Sequence, residues 1–215
     1  MIKFIPSVLG IIFLFTLFGF AHSLLASLKI KRKLAKWLGN KIAFYRVFYN
    51  IISILTLALV YEVSPRPDII IYDLPNPFDL IILVTQFISL IGVFWSFKYF
   101  SGQEFLGIAQ VKRYLNNNYQ PDELDEQMSF RLEGPYRYCR HPVYFFSIMF
   151  LLFRPVMDLF YITFLICVIV YFWIGSIYEE KKLVEIFGSD YSEYQKNVPS
   201  IVPYKLFSPY TMNKK

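Results

Sequence analysis

The feature that most constrains this chain is a set of long runs without a charged side chain: Ile5–Leu28, Val47–Tyr61, Leu80–Phe97 and Leu159–Tyr178. About twenty apolar helical residues cross the roughly 30 Å hydrocarbon core of a bilayer, so each run reads as a spanning helix, the second once Arg46 snorkels at its edge. A fifth run, Val143–Phe153, is shorter and stops at Arg154-Pro155, a pair that ends helices. With its turn at Arg154–Asp158 it forms one arm of a helical hairpin. The expected fold is an all-α integral membrane protein with spans near 5–28, 44–61, 78–98, 142–154 and 158–178. Composition agrees: 56% of residues are hydrophobic and only 18% are charged, against about 25% in soluble domains, so a globule of this size has nowhere to bury the excess. The N-terminal run is too long for a signal-peptide core and lacks a small-x-small cleavage site, so it is expected to stay as a helix.

Charge sets the expected orientation. Lys29, Lys31, Arg32, Lys33, Lys36 and Lys41 follow the first span with no acidic residue among them, whereas Glu62, Asp68, Asp73 and Asp79 face Arg66 alone between the second and third. The positive-inside rule puts the first of these loops in the cytoplasm, with the N-terminus out and the C-terminus in. The net charge of +6 raises nucleic acid as a partner, but the basic residues flank helices instead of forming a stripe with stacking aromatics. The anionic membrane surface is the better partner. Cys139 and Cys167 fall in different environments, one at a helix entrance and one mid-membrane, which argues against a disulfide.

Two cytoplasmic segments remain. The loop 101–134 is too long for a plain connection and carries Asn116-Asn117-Asn118 and an acidic patch at Asp122, Glu123, Asp125 and Glu126. Beyond the last span, Leu183, Val184, Ile186 and Phe187 keep helical spacing, Gly188 reads as a C-cap and Asp190 with Glu193 as a capping box. The segment 179–215 is therefore expected to form a helical cap.

The densest chemistry lies in Gly134-Pro135-Tyr136-Arg137-Tyr138-Cys139-Arg140-His141-Pro142-Val143-Tyr144. Pro142 suits a first helical turn and puts His141 at the helix N-terminus, where backbone N–H groups, the helix dipole, Arg137 and Arg140 suit a carboxylate or phosphate. Headgroup anchoring by the same arginines and tyrosines is the plainer alternative. Glu179-Glu180, closing the last span, suit a cationic group, or else simply balance Lys181 and Lys182. The two histidines, His22 and His141, could together hold a metal or haem, although a lone His22 beside Ser23 and Ala26 also suits helix packing.

The order Gly134-Pro135-Tyr136-Arg137, Arg140-His141-Pro142-x-Tyr144, a short hairpin, Glu179-Glu180-x-x-Leu183, Phe187-Gly188, Tyr191-x-x-Tyr194, Val198-Pro199 and Pro203 resembles the isoprenylcysteine carboxyl methyltransferase and phospholipid methyltransferase superfamily. His22-Ser23-Leu24-Leu25-Ala26, Tyr45-Arg46-x-x-Tyr49-Asn50 and Glu104-Phe105-Leu106-Gly107-x-x-Gln110 look like its bacterial branch of methanethiol S-methyltransferases and NnrU-like proteins.

That resemblance implies an S-adenosylmethionine-dependent membrane enzyme, in a bacterial inner membrane, methylating a small thiol or a lipophilic acceptor. No metal is implied. It implies a cofactor site drawn from Pro135, Tyr136, Arg137, Arg140, His141, Pro142, Tyr144, Glu179, Glu180, Tyr191 and Tyr194, with the cofactor carboxylate toward the arginines and His141, and its ribose or cationic centre toward one of the two glutamates. His141, Arg140 and His22 are the catalytic candidates. The segment Phe97–Gln103 and the insertion Asn116–Glu126 depart from the methanethiol enzymes, which leaves the acceptor open. NnrU-like proteins also resemble a haem-dependent carotene isomerase, so His22 and His141 as axial ligands, and a fold retained without turnover, stand as alternatives.

Overall fold

The computed structural model describes residues 4–99, 101–120, 124, 130 and 132–211. Four helical segments, Ile5–Ala26, Leu28–Val63, Phe78–Lys98 and Leu159–Asn197, are long and apolar enough to cross a membrane. Only 17% of the apolar window in each of the first three is buried inside the protein, so lipid must cover the rest. Phe13, Phe20, Phe87 and Phe94 are among the side chains left outside. The protein is an all-α integral membrane protein apart from one small ribbon. It divides into two compact units, residues 1–66 with 101–129, and 67–100 with 130–215.

In the N-terminal unit, α1 (Ile5–Ala26) ends where Ser27 turns extended, its hydroxyl donating to the Leu24 carbonyl and accepting from Ile30 N–H to start α2 (Leu28–Leu38). The inner face of α2, with Leu34, Ala35 and Leu38, packs on Ile42, Ala43 and Tyr119. Lys29, Arg32, Lys33 and Lys36 stay exposed, as expected of headgroup-facing lysines and arginines. Lys31 does not: it is buried, one helical turn from the inner-face residues it accompanies. α3 (Tyr45–Val63) packs on α1. The expected loop 101–134 opens with two short helices, α5 (Gly102–Leu106) and α6 (Ile108–Leu115). They meet at Gly107, whose φ of +85° and contact with the Val47 backbone exclude a side chain. The acidic patch of that loop lies outside the described residues.

In the C-terminal unit, α4 (Phe78–Lys98) and α7 (Pro142–Leu152) form the closest helix pair. Ser89, Gly92 and Ser96 line a buried stripe at helical spacing, and the Phe146 ring fills the place a side chain at Gly92 would need. Gln86 Nε2 donates to the Phe150 carbonyl at 3.0 Å. At its 11 residues, α7 covers about 17 Å, roughly half of the hydrocarbon core, so it is a short arm and not a full span.

The turn of the hairpin differs from the simple loop expected. Val156–Asp158 (β2) pairs antiparallel with Ile70–Asp73 (β1), with Tyr72 opposite Met157. Asp158 then caps α8, accepting from Tyr161 N–H at 2.7 Å, and the Arg154 guanidinium lies 3.9 Å over the Tyr161 ring. α8 (Leu159–Asn197) runs out of its apolar part, past Glu179-Glu180, to Gly188, where φ +59° and ψ −128° break the helix before it resumes. Beyond the break, Tyr191, Tyr194 and Val198 form a buried cluster with Phe130, Leu132, Leu183, Val184, Phe187 and Tyr210.

Candidate functional site

The site grows from the segment leading into α7. Gly134, at φ +56°, has the Tyr99 ring where a Cβ would stand, and Pro135 fixes the tight turn Gly134–Arg137 that follows. Tyr194 O–H donates to the Tyr136 carbonyl at 2.5 Å. Arg140 N–H and His141 N–H donate to the Pro199 and Ser200 carbonyls, each at 2.9 Å. The backbone N–H groups expected to be open to an anion there are therefore occupied by the chain's own C-terminal segment. His141 is the N-cap of α7 with Pro142 at the first position, as its sequence dictates.

α8 presents Glu179 and Glu180 to this segment. Arg140 grips Glu180 through two parallel bonds, Nε to Oε1 and Nη2 to Oε2, each 2.9 Å. Its Nη1 donates to the carbonyls of Gln195 at 2.8 Å and Val198 at 2.5 Å. Glu180 also receives Gln195 Nε2 at 2.8 Å and Ser200 Oγ at 2.9 Å, and lies 2.9 Å from His141 Nε2. On the other edge of the ring, His141 Nδ1 lies 3.5 Å from Glu179 Oε2, which accepts the Tyr144 hydroxyl at 2.9 Å. His141, Tyr144 and Phe172 stack in a column, with interplanar angles of 7° and 9°.

Electrostatics follow from this crowding. Burial would raise the Glu180 carboxyl, yet the hydrogen bonds from His141, Arg140 and Gln195 and the Arg140 charge hold it down at about 2. Burial likewise opposes a charged His141, but its bonds to Glu179 and Glu180, and their charges, prevail and raise it. With His141 protonated, the two cations Arg140 and His141 match the two carboxylates, and the cluster is neutral. Cys139 is buried and its thiol is pushed up to about 12, so it packs and does not act as a nucleophile.

Accessibility separates the two glutamates. The Glu180 side chain is 12% exposed and its carboxylate is surrounded, while that of Glu179 is 36% exposed beside the Tyr144 ring. Adjacent residues on a helix point about 100° apart, which suggests that only one could face this segment. Both in fact reach His141, one at each ring nitrogen.

The remaining candidates divide. Arg137 sits beside the cluster, its Nε donating to the Tyr210 carbonyl at 3.0 Å while Tyr210 N–H returns a bond to the Arg137 carbonyl. Tyr136 is pushed up by burial and then by the Glu179 charge, which places its phenol near that carboxylate. Pro135 and Pro142 are buried shapers of the backbone, and Tyr191 and Tyr194 belong to the packed cap cluster. Gln195, Ser200, Tyr210 and Phe172 were not singled out by sequence. Only the Val198-Pro199 motif beside them pointed that way.

His22 lies in the N-terminal unit, its Nδ1 2.8 Å from Ser53 Oγ and its Nε2 2.7 Å from the Tyr49 hydroxyl. Both nitrogens of both histidines thus have hydrogen-bond partners, and either ring would have to break one to become an axial ligand.

The chain is 28% identical to the methanethiol S-methyltransferase of Pseudomonas deceptionensis over 199 residues, 89% of this chain and 71% of that protein. It is 27% identical to methanethiol S-methyltransferase 1 of Bradyrhizobium diazoefficiens over 196 residues, 89% of this chain but 65% of that one. The enzyme of the same name from Crocosphaera subtropica is 26% identical over 87% of this chain and 71% of its own. The chain thus spans about two thirds of the length of these relatives. No family model and no solved structure matches it. The likeness to the methanethiol S-methyltransferase branch, carried in the motifs by a few dozen residues, extends over nearly the whole chain.

Proposed function

We propose that this chain is a membrane methyltransferase that transfers a methyl group from S-adenosylmethionine to a small thiol. The observation that carries the reading is the half-exposed Glu179 carboxylate, fixed by His141 and Tyr144 beside stacked aromatic rings, in a chain similar to methanethiol S-methyltransferases over most of its length. A carboxylate next to aromatic faces suits a cationic centre or ribose hydroxyls.

The other end of a zwitterionic ligand is the part of Arg137. Among the described residues it uses only Nε, toward Tyr210, and its terminal nitrogens remain to meet a carboxylate in the paired geometry guanidinium favours. Arg140 takes the different role of a positioning residue, since Glu180 and two carbonyls engage all three of its nitrogens. Glu180, Gln195 and Ser200 complete this clamp, which holds His141 and, through it, Glu179. When bound, the sulfonium cofactor supplies a methyl group already activated for displacement, so the protein's tasks are alignment and removal of the acceptor's proton. The orientation that fits is clamp and cap in the cytoplasm, with the β1–β2 ribbon on the far side.

Calorimetry of the detergent-purified protein with S-adenosylmethionine, followed by detection of dimethyl sulfide from added methanethiol, tests this. Binding with methyl transfer is expected. A folded protein that does not bind S-adenosylmethionine would refute it.

A further inference from the structure

The N-terminal unit holds a second polar constellation that the cofactor clamp leaves unused. Arg46 Nε and Asn50 Nδ2, from α3, both donate to the Phe105 carbonyl, at 3.0 and 2.9 Å. Glu104 in turn receives Arg113 Nη1 at 2.5 Å and Gln110 Nε2 at 3.0 Å. With Gly107 wedged against the Val47 backbone, two of the motifs that carry the resemblance are locked into one piece. The third, His22-Ser23, joins through α3: the His22 ring lies between Ser53 and Tyr49 and 4.9 Å, centroid to centroid, from the Tyr49 ring.

The proton positions in this trio follow from counting. Ser53 has one hydroxyl proton and gives it to the Tyr49 carbonyl at 2.6 Å, so its oxygen accepts from His22 Nδ1–H. The neutral imidazole then carries its lone pair on Nε2, where the Tyr49 hydroxyl donates at 2.7 Å. A fixed orienting group, an imidazole in one tautomer and a hydroxyl on its basic nitrogen are the parts of a general-base relay. Helix packing alone does not call for them: Gly19 is already buried in α1, and an ionisable ring inside an apolar span is costly.

We propose that Tyr49 and His22 accept the proton of the acceptor thiol, with Ser53 as positioning residue; this rests on the methyltransferase reading above. An aliphatic thiol is largely protonated at neutral pH, and the thiolate is the nucleophile. The thiol S–H proton passes to the Tyr49 oxygen as the phenolic proton passes to His22 Nε2. The freed sulfur lone pair forms the new carbon–sulfur bond while the methyl–sulfonium bond breaks, its electron pair leaving a neutral thioether. The imidazolium afterwards returns its proton to solvent. The other ionisable side chains beside the pair on α3, Tyr45 and Arg46, are bonded to the Leu25 and Phe105 carbonyls.

The test is the pH dependence of methanethiol methylation in detergent by the full-length protein and by Tyr49→Phe, His22→Asn and Ser53→Ala, with S-adenosylmethionine affinity measured by calorimetry on the same samples. At neutral pH the first two variants should lose about a hundredfold in rate, as for removal of a general base. Their deficit should close as pH rises and the thiol ionises by itself, and cofactor affinity should be unchanged. Ser53→Ala, which alters the fold least, should show the same pattern with a smaller deficit. A deficit equal at every pH, or no deficit in any variant, overturns the proposal. If the unaltered chain binds the cofactor but methylates no methanethiol at any pH, the thiol reading itself falls and this role with it, an outcome distinguishable because it appears without any substitution.

Discussion

Arg140 and Glu180, 40 positions apart, meet through two parallel 2.9 Å hydrogen bonds with each side chain 12% exposed. This pair fastens the entrance of α7 to α8 where α8 leaves its apolar run, and the Gln195, Val198 and Ser200 contacts tie the cap to the same point. Removing one partner strands a desolvated charge, which typically costs about 3 to 5 kcal/mol when the pair is buried, and less here for the residual exposure. Arg140→Ala should therefore lower the thermal midpoint in detergent clearly, and Arg140→Ala with Glu180→Ala should be less damaging than the sum of the two. Additive losses would show that the pair is not coupled.

The same cluster makes stability depend on pH through His141. Its folded pKa is raised above 6.5, so the stabilisation is complete below pH 6.5 and is lost as pH rises through the folded value. Glu180, held at about 2 against 4.5, contributes above 4.5 and loses that only in strong acid, so it does not change in this window. Thermal melts of the detergent-purified protein should fall from pH 6.5 upward. His141→Gln should flatten that slope, even if it also lowers the midpoint.

The two adjacent glutamates should separate functionally. Glu179→Gln removes a half-exposed, ligand-facing charge and should weaken S-adenosylmethionine by about 1.5 to 3 kcal/mol, roughly tenfold to over a hundredfold, with little change in melting. Glu180→Gln should instead lower the melting midpoint, and reduce affinity only as far as His141 loses its position. Calorimetry and melting on both variants decide this, and identical behaviour would contradict the division of roles drawn here.

How much of this was legible in sequence depended on whether the signal was local. The four long spans were plain because lipid exposure makes the whole circumference of a helix apolar, a pattern that needs no partner to interpret. The shortness of α7 was legible from Arg154-Pro155. The β1–β2 ribbon was missed because strands of 4 and 3 residues are defined by their pairing, although the β-branched Ile69-Ile70-Ile71 run was a hint. Arg140, His141, Tyr144, Glu179 and Glu180 were all picked out, but as opposite poles of a ligand site. That they neutralise one another depends on Pro199 and Ser200 pairing with the Arg140–His141 backbone, a contact across about sixty residues that no spacing rule encodes. Lys31 was grouped with its exposed neighbours because a run of lysines hides which one faces inward.

Orientation is open to direct chemistry. With Cys139 and Cys167 replaced by alanine, single cysteines at Arg66 and Asn117 should label oppositely in intact cells, the first from outside and the second only after permeabilisation. The reverse pattern would put the clamp on the non-cytoplasmic side, away from the supply of S-adenosylmethionine, and would contradict the proposed donor site.

Arg137 gives the most discriminating test of the ligand's carboxylate end. Its Nε and carbonyl are both engaged by Tyr210, so the C-terminal segment holds the guanidinium in place while its terminal nitrogens face no protein acceptor among the described residues. If those nitrogens meet the cofactor carboxylate, Arg137→Ala should weaken binding by about 1.5 to 3 kcal/mol, and Arg137→Lys should recover only part of it, because an ammonium keeps the charge but not the paired geometry. Truncation before Tyr210 should produce a smaller loss of the same kind, since the guanidinium would remain but lose its tether. Headgroup anchoring predicts a different pattern: Arg137→Lys would be neutral, the truncation would not matter for affinity, and all three changes would act on expression or melting instead. Calorimetry of the three proteins with S-adenosylmethionine, at matched folded fractions, separates the two, and unchanged affinity throughout would remove Arg137 from the site.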